Sequence, residues 1–292
     1  MVLKKAVYSR VLCPAKLNLI LRVGPPRRDG YHDLESLMVP LNWGDELSMR
    51  VGQNDRTDIE LQCGGGIELP EGSNLAFRAA QAFCRRFQQP LSVKMRLIKR
   101  VPMGAGLGGG SSDAATVLRL LSQFCGFERE RALRDVAASL GSDVPFFLER
   151  ESAWCEGRGE ICKIVNLPRQ LHFVLVHSPK SAVSTPWAYQ QLDIARSRSH
   201  PAPVELSGKP QWLKGSWAHL PLENDFEAVV LERRPHLRRV QRALCQVGAS
   251  GVRMTGSGAS FFGLFETPAR ARQAAQKLVS QGFWAHSCSS LK

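Results

Sequence analysis

Residues 102–115 read PMGAGLGGGSSDAA, with five glycines inside the seven positions 104–110. Glycine costs roughly 0.5–1 kcal/mol per position relative to alanine inside regular structure, because it surrenders the most backbone freedom on folding. A chain accepts such a run where its backbone must take conformations closed to other residues, or where something approaches it closely. The next residues, SSDAATVLRLLSQF, place Ala114, Val117, Leu118, Leu121 and Phe124 at helical spacing, with Gly126 as a stop. The stretch is therefore a glycine loop that ends at a helix N-terminus. It aims several backbone N–H groups and the positive end of a helix dipole at one point, which makes an anion site, most often for phosphate.

Three familiar phosphate-binding patterns fail here. Gly104-x-Gly106-x-x-Gly109 matches the dinucleotide fingerprint in outline, but that fold wants an acidic residue at the end of a strand about twenty positions on. FERERALRD, a charged helix, occupies that region. Gly104-x-x-x-x-Gly109-Gly110-Ser111 resembles a P-loop, yet Gly110 stands where the lysine belongs. A protein kinase needs V-A-I-K, H-R-D and D-F-G, all missing. The loop is a phosphate cradle of another type.

Around it the chain alternates strands and helices. VLCPAKLNLILRV (11–23), DELSMRV (45–51) and SVKMRLIKRV (92–101) alternate as strands, and the Pro-Pro and Asp-Gly signals of GPPRRDGYHDLESL (24–37) mark a surface loop between the first two. SNLAFRAAQAFCRRF (73–87) predicts a helix capped by Ser73 or Asn74, with Leu75, Ala79, Ala82, Phe83 and Phe87 as its apolar stripe. ERERALRDVAASL predicts another, closed by Gly141 and continued by a turn SDVP. Further on come a strand at 171–178, a Pro/Ser/Arg-rich excursion at 195–210, a basic helix, a strand around 250–255, the second glycine-rich turn TGSGAS, the strand FFGLF and the helix PARARQAAQKLVSQG. A domain boundary is expected near 165–170.

Composition narrows the class. Apolar content of 43% and charged content of 22% are ordinary for a globular protein. No window approaches about 18 consecutive apolar residues, and the N-terminus lacks the apolar core of a secretory signal, so the expectation is a cytoplasmic protein without a membrane partner. Eight cysteines are scattered without a C-x-x-C pair. The nearest two, Cys155 and Cys162, have no histidine at ligand spacing, so reduced thiols are expected and a structural zinc site is not. The formal charge of +13 suits anionic partners. Its densest run, LERRPHLRRVQR (231–242), reads as one solvated helix face, and no aromatic-basic interleaving suggests nucleic acid. Phosphorylated small molecules explain the charge equally well.

Three other stretches stand out. PAKLN puts Lys16 and Asn18 on one strand face, GYH comes after a flexible turn, and GSDVPFF places Asp143 directly after a helix end. Asp143 reads either as a solvated cap or turn aspartate or as a functional carboxylate, and Lys16 either as a lysine whose head reaches solvent or as a functional cation.

Taken together, PAKLNL, DGYHDLESL, PMGAGLGGGSSDAA, LGSDVPFF, EGRGE (156–160), NDFE (224–227) and MTGSGASFFGLF occur in this order. The chain thereby resembles the 4-diphosphocytidyl-2-C-methyl-D-erythritol kinase family of the galactokinase/homoserine kinase/mevalonate kinase superfamily. The resemblance runs from about residue 8 to the end, apart from the stretch near 195–215. It implies an α/β (α+β) small-molecule kinase of two domains, 1–167 binding ATP and 168–292 completing it, with the site in the cleft between them. ATP, with Mg²⁺, would phosphorylate the 2-hydroxyl of the erythritol moiety, a step of the non-mevalonate isoprenoid pathway. The resemblance makes Lys16 and Asp143 the catalytic pair. It gives the ATP phosphates to Pro102, Met103, Gly104, Ala105, Gly106, Leu107, Gly108, Gly109, Gly110, Ser111 and Ser112, with Asn74 and Lys99 near the adenine. It gives the substrate to Asn18, Tyr31, His32, Thr185 and Tyr189, with the two tyrosines on the cytosine faces and His32 at its edge. Tyr189, in VSTPWAY, stands where relatives often carry phenylalanine; Ser142 and Thr255 replace a common alanine and serine. A monomer or weak dimer is expected. The alternatives are a homoserine or mevalonate type of kinase, which PAKLNL with GYH argues against, and a basic nucleic-acid-binding protein.

Overall fold

The computed structural model describes residues 5–65, 71–127, 131–178, 183–199, 206 and 220–291. Its first two strands are long: β1 runs Lys5–Pro26 and β2 His32–Gln53. Only five residues join them. Gly30 N–H donates to Arg27 C=O at 3.0 Å and Arg27 N–H to Tyr31 C=O at 2.7 Å, with Gly30 at φ +82°. The loop expected over 24–37 is thus corrected to a tight turn at 27–31. Its prolines, Pro25 and Pro26, fall at the end of β1, where a missing N–H is tolerated.

The chain packs as two compact units, each drawn from three stretches, and β1 and β2 contribute to both. The limits of the units fall within β1, after Ala15, and within β2, after Asn42.

The first unit holds 1–15, 43–103 and 108–150. Its strands lie in the order β3 (Asp58–Gly64), β4 (Leu91–Ile98), β2, β1. β3 runs parallel to β4 with Asp58 opposite Ser92, and β4 antiparallel to β2 with Glu46 opposite Ile98. Helices α1 (Leu75–Phe87), α2 (Gly109–Cys125), α3 (Arg131–Leu140) and α4 (Val144–Glu149) pack on one another. Asn74 is the cap of α1, its Oδ1 accepting from Ala76 N–H at 2.9 Å. The buried stripe of α1 is Ala76, Ala79, Ala80, Phe83 and Cys84, so Leu75, Ala82 and Phe87 sit at its margin, a rotation of the expected face. Gly126 closes α2 in the left-handed region at φ +79°, as expected of a stop glycine. The turn expected at SDVP is present at Ser142 and Asp143, where Val144 N–H donates to Gly141 C=O at 3.1 Å, and it leads into α4, whose Pro145 takes a first-turn position that needs no N–H.

The second unit holds 16–42, 104–107 and 151–292. Here β1 lies between β2 and β8 (Glu223–Asn224), and the hairpin β5 (Ala153–Glu156)–β6 (Ile161–Ile164) adds to β2 with Ser36 opposite Cys155. A separate antiparallel sheet has the order β11 (Trp284–Ser289), β7 (His172–His177), β10 (Ser260–Phe265), β9 (Gly251–Thr255). α8 (Pro268–Ser280) and α7 (Arg238–Gln246) cover it, and α5 (Thr185–Ser199) packs on α6 (Asp225–Arg233). Val174, Val176, Phe226, Val230, Leu244, Met254, Phe261 and Leu278 form the centre of its core. The single basic helix expected over 231–242 is corrected to two helices with a 3₁₀ turn, Pro235–Leu237, between them. Pro235 supplies no N–H to continue α6 and holds Arg234 out of helical geometry, at φ −131°, ψ 62°. α5 occupies the start of the excursion expected at 195–210; the remainder of that excursion, apart from Leu206, lies outside the described residues.

Candidate active site

The glycine loop has a layered logic. Ala105 and Leu107 are buried, while Gly104, Gly106 and Gly108 take φ of +62°, +74° and +71°. Side chains thus anchor alternate residues, and the glycines between them turn the backbone through the left-handed region. Gly106 has a second reason. A Cβ there would meet Thr255 O at 2.5 Å and the Gly256 Cα at 3.4 Å, so the loop lies backbone to backbone on the second glycine turn. A Cβ on Gly104 would meet nothing within 4 Å among the described residues. Gly106→Ala is therefore expected to cost well over Gly104→Ala, which bears only the left-handed penalty of roughly 1–2 kcal/mol. Urea denaturation of the two variants checks this, and equal losses would show that the packing on Thr255 contributes nothing.

α2 starts at Gly109 from a Gly108 cap that has no side chain to satisfy the first-turn amides. Ser112 Oγ is buried in the next turn with no hydrogen-bond partner among the described residues. Met103 is exposed, Pro102 and Ser111 half-buried and Gly110 exposed.

Lys16 and Asn18 share a face of β1 as their spacing requires, and both are buried. Lys16 N–H donates to Leu107 C=O at 2.9 Å, tying the strand to the glycine loop, and Lys16 Nζ donates to Asn18 Oδ1 at 2.6 Å. Asn18 Oδ1 also accepts from Gly256 N–H at 3.0 Å, and Asn18 Nδ2 donates to Ser36 Oγ at 2.8 Å. Asn18 N–H donates to Thr255 Oγ1 at 3.0 Å. Asn18 is thus a buried junction between β1, β2 and the second glycine turn. That turn is held from below by Asn224, whose Nδ2 donates to Met254 C=O and Gly256 C=O while its Oδ1 caps α6. The NDFE motif has here its structural reason.

Asp143 heads α4 at φ −83°, ψ −12° as a half-buried turn residue, and its side chain makes no capping hydrogen bond. A Cβ on Gly141, two residues before, would lie 4.0 Å from Ser111 Oγ and 3.5 Å from Val144 Cγ2. The turn that carries Asp143 therefore abuts the first turn of α2.

His32 is buried, with Nε2 2.9 Å from Asp193 Oδ1 and its ring 4.7 Å from that of Tyr189. Tyr189 packs edge-on to Phe226 at 4.8 Å. Tyr31 is exposed, with the Arg158 guanidinium 4.8 Å over its ring, and Thr185 Oγ1 lies 2.9 Å from Ser257 Oγ of the second glycine turn.

Asn74 and Lys99 are already engaged. Asn74 is the α1 cap and donates from Nδ2 to Cys63 Sγ at 3.3 Å. Lys99 Nζ is buried between two carboxylates, donating to Asp45 and, at 2.6 Å, to Asp113. Asp45 in turn accepts from Val101 N–H at 2.8 Å, so one cluster ties the residues entering the loop to the helix leaving it. Burial, with the Asp45 charge adding to it, pushes the Asp113 carboxyl up to about 7 against the pull of Lys99. The two carboxylates outweigh burial at Lys99 and raise its pKa. Neither Asp45 nor Asp113 was accessible from spacing; only Asp113, four positions into α2, lay within a singled-out motif.

A glycine loop feeding a helix is an anion site, and the relatives of this chain make its class that of a small-molecule kinase. Two family models match: GHMP kinases N terminal domain over 74–150 and GHMP kinases C terminal over 211–283. The 4-diphosphocytidyl-2-C-methyl-D-erythritol kinase of Anaeromyxobacter dehalogenans is 45% identical over 93% of this chain and 84% of its own. A crystal structure of 4-(cytidine 5'-diphospho)-2C-methyl-D-erythritol kinase superposes with a TM-score of 0.77 at 34% identity, over 99% of this chain and 100% of the other. Homoserine kinase from Cytophaga hutchinsonii, with a TM-score of 0.69 over 99% of this chain and 94% of its own, is 17% identical and shows the fold alone. The chain belongs to the 4-diphosphocytidyl-2-C-methyl-D-erythritol kinase family of the GHMP kinases.

Proposed function

We propose that this chain transfers the terminal phosphoryl group of ATP to the 2-hydroxyl of 4-diphosphocytidyl-2-C-methyl-D-erythritol, a step towards isoprenoid precursors. The observation that carries the residue assignment is the placement of Asp143. It stands on a turn abutting the first turn of α2, where the phosphates belong. Phosphoryl transfer asks for positioning and charge stabilisation more than covalent chemistry. The loop from Pro102 to Ser112 supplies both through uncapped amides and the α2 dipole. Asp143 accepts the proton of the attacking hydroxyl, and Lys16 offsets charge on the transferred group, a role a P-loop gives to its own lysine.

Mg²⁺ takes oxygen ligands and seldom relies on a protein cage alone. The buried Ser112 hydroxyl, without a partner among the described residues, fits such a cation, which when bound neutralises phosphate charge.

On the substrate side, Asn18 and Thr185 border the second glycine turn, and Tyr31 and Tyr189 offer aromatic faces to cytosine. With Nε2–H donated to Asp193, His32 presents Nδ1 as an acceptor, suited to the cytosine amino group and not to the carbonyl of uracil. Asn74 and Lys99 serve adenine through backbone and carbon atoms, since their polar ends are taken.

The test is ADP release with three acceptors offered separately: the cytidyl diphosphate substrate, mevalonate and homoserine. Turnover is expected with the first alone. Comparable turnover of mevalonate or homoserine would overturn the substrate assignment while leaving the kinase class intact.

A further inference from the structure

The hairpin β5–β6 brings together two thiols that stand seven residues apart in sequence. Cys155 and Cys162 are directly opposed across the antiparallel pair, and their sulfurs lie 2.7 Å apart. Opposed residues in such a pair have Cα atoms about 4.5–5.5 Å apart, inside the range that a disulfide spans. The two differ in access. Cys155 is fully buried, whereas Cys162 is half-buried near the turn, its Sγ 3.3 Å from Gly159 C=O.

The turn they flank reaches the start of β2. Gly157 C=O accepts from Leu34 N–H at 2.7 Å, and the Arg158 guanidinium lies over Tyr31. On its other side Cys155 is opposed to Ser36, the hydroxyl that accepts from Asn18. Nothing in phosphoryl transfer uses either thiol, and a bond of about 2.05 Å asks only a short approach of two sulfurs 2.7 Å apart.

We propose that Cys155 and Cys162 form a redox couple, a dithiol that closes to a disulfide across β5 and β6 and pins the turn carrying Arg158. The oxidant is a small-molecule disulfide. The accessible Cys162 thiolate attacks one sulfur of it, forming a mixed disulfide and expelling one small thiolate. The Cys155 thiolate then attacks Cys162 Sγ and expels the second. The protein loses two electrons and two protons; the small disulfide gains both and leaves as two thiols. In a reducing compartment the bond is transient.

The experiment titrates the full-length protein with oxidised glutathione, then blocks remaining thiols and digests with trypsin without reduction. Cleavage after Arg158 separates the two cysteines, so the fragments Glu151–Arg158 and Gly159–Lys163 stay joined only through the new bond. The expected result is that joined pair, two hydrogens lighter than the sum of its parts and separated by dithiothreitol. Amide hydrogen exchange over 156–161 is expected to slow about tenfold in the oxidised protein, since the bond removes local opening. In Cys162→Ser, Cys155 is expected to resist glutathione altogether. A stable glutathione adduct on Cys162, a bond from Cys155 to another cysteine, or no oxidation would each overturn the couple. Unchanged exchange over the turn would overturn the pinning, and a Cys155 adduct in Cys162→Ser would overturn the order of attack.

Discussion

Asp143→Asn is expected to lower kcat by about 10²–10⁴-fold, the span that a positioned general base contributes. Asparagine keeps the size and polarity of the side chain and loses its charge and its capacity to take a proton. Asp143 makes no capping hydrogen bond to α4, so no cap is lost with the substitution. Binding of ATP and of the cytidyl substrate, measured by calorimetry, is therefore expected to stay within a few-fold of the parent. A variant whose single-turnover phosphoryl transfer remains near normal would remove Asp143 from the chemistry. A variant that binds neither ligand would give it a structural role instead.

The largest effect on stability is expected from Lys99→Met. The ammonium of Lys99 is buried, its side chain 6% exposed, between Asp45 at 0% and Asp113 at 3%. Methionine fills the volume but leaves two carboxylates facing each other without a counter-charge, and breaking a buried pair from one side costs roughly 3–5 kcal/mol. The sign of its pH dependence comes from Asp113. A carboxyl whose pKa is raised on folding carries a penalty that grows as pH climbs from its unfolded value towards its folded one, which for Asp113 is about 7. Lys99 is what holds that value down, so its loss extends the penalty to higher pH. The deficit of the variant against the parent, measured by urea denaturation, should therefore be larger at pH 8 than at pH 5. A deficit independent of pH would mean that packing, not charge, is what Lys99 supplies. Because Asp45 also accepts from Val101 N–H, the folded fraction should bind ATP more weakly as the entry to the loop loosens.

Much of the local structure was legible because its causes are local. Asn74 caps α1 and Gly126 stops α2 for reasons carried by those residues and their immediate neighbours. The alternation of Lys16 and Asn18 put them on one face before any partner was known. Where expectation failed, the deciding partner was remote or a helix breaker was passed over. GPPRRDGYHDLESL carries loop signals, yet Leu34–Leu37 are strand because β2 has hydrogen-bonding neighbours. LERRPHLRRVQR has helical composition on either side of Pro235, which divides it.

A dense glycine run entering a helix is visible in the chain alone, and backbone sterics and the helix dipole then dictate an anion site. The family is visible there too, through seven motifs in a fixed order. Folding adds the long-range facts: Gly106 is required against Thr255, Asn18 joins a turn 238 residues away at Gly256, Lys99 is held by Asp45 and Asp113, and Cys155 meets Cys162. Range separates the two sets. Propensity, capping and dipoles act over a few bonds of chain, whereas close packing, buried ion pairing and thiol contact depend on register and on which segments fold against one another.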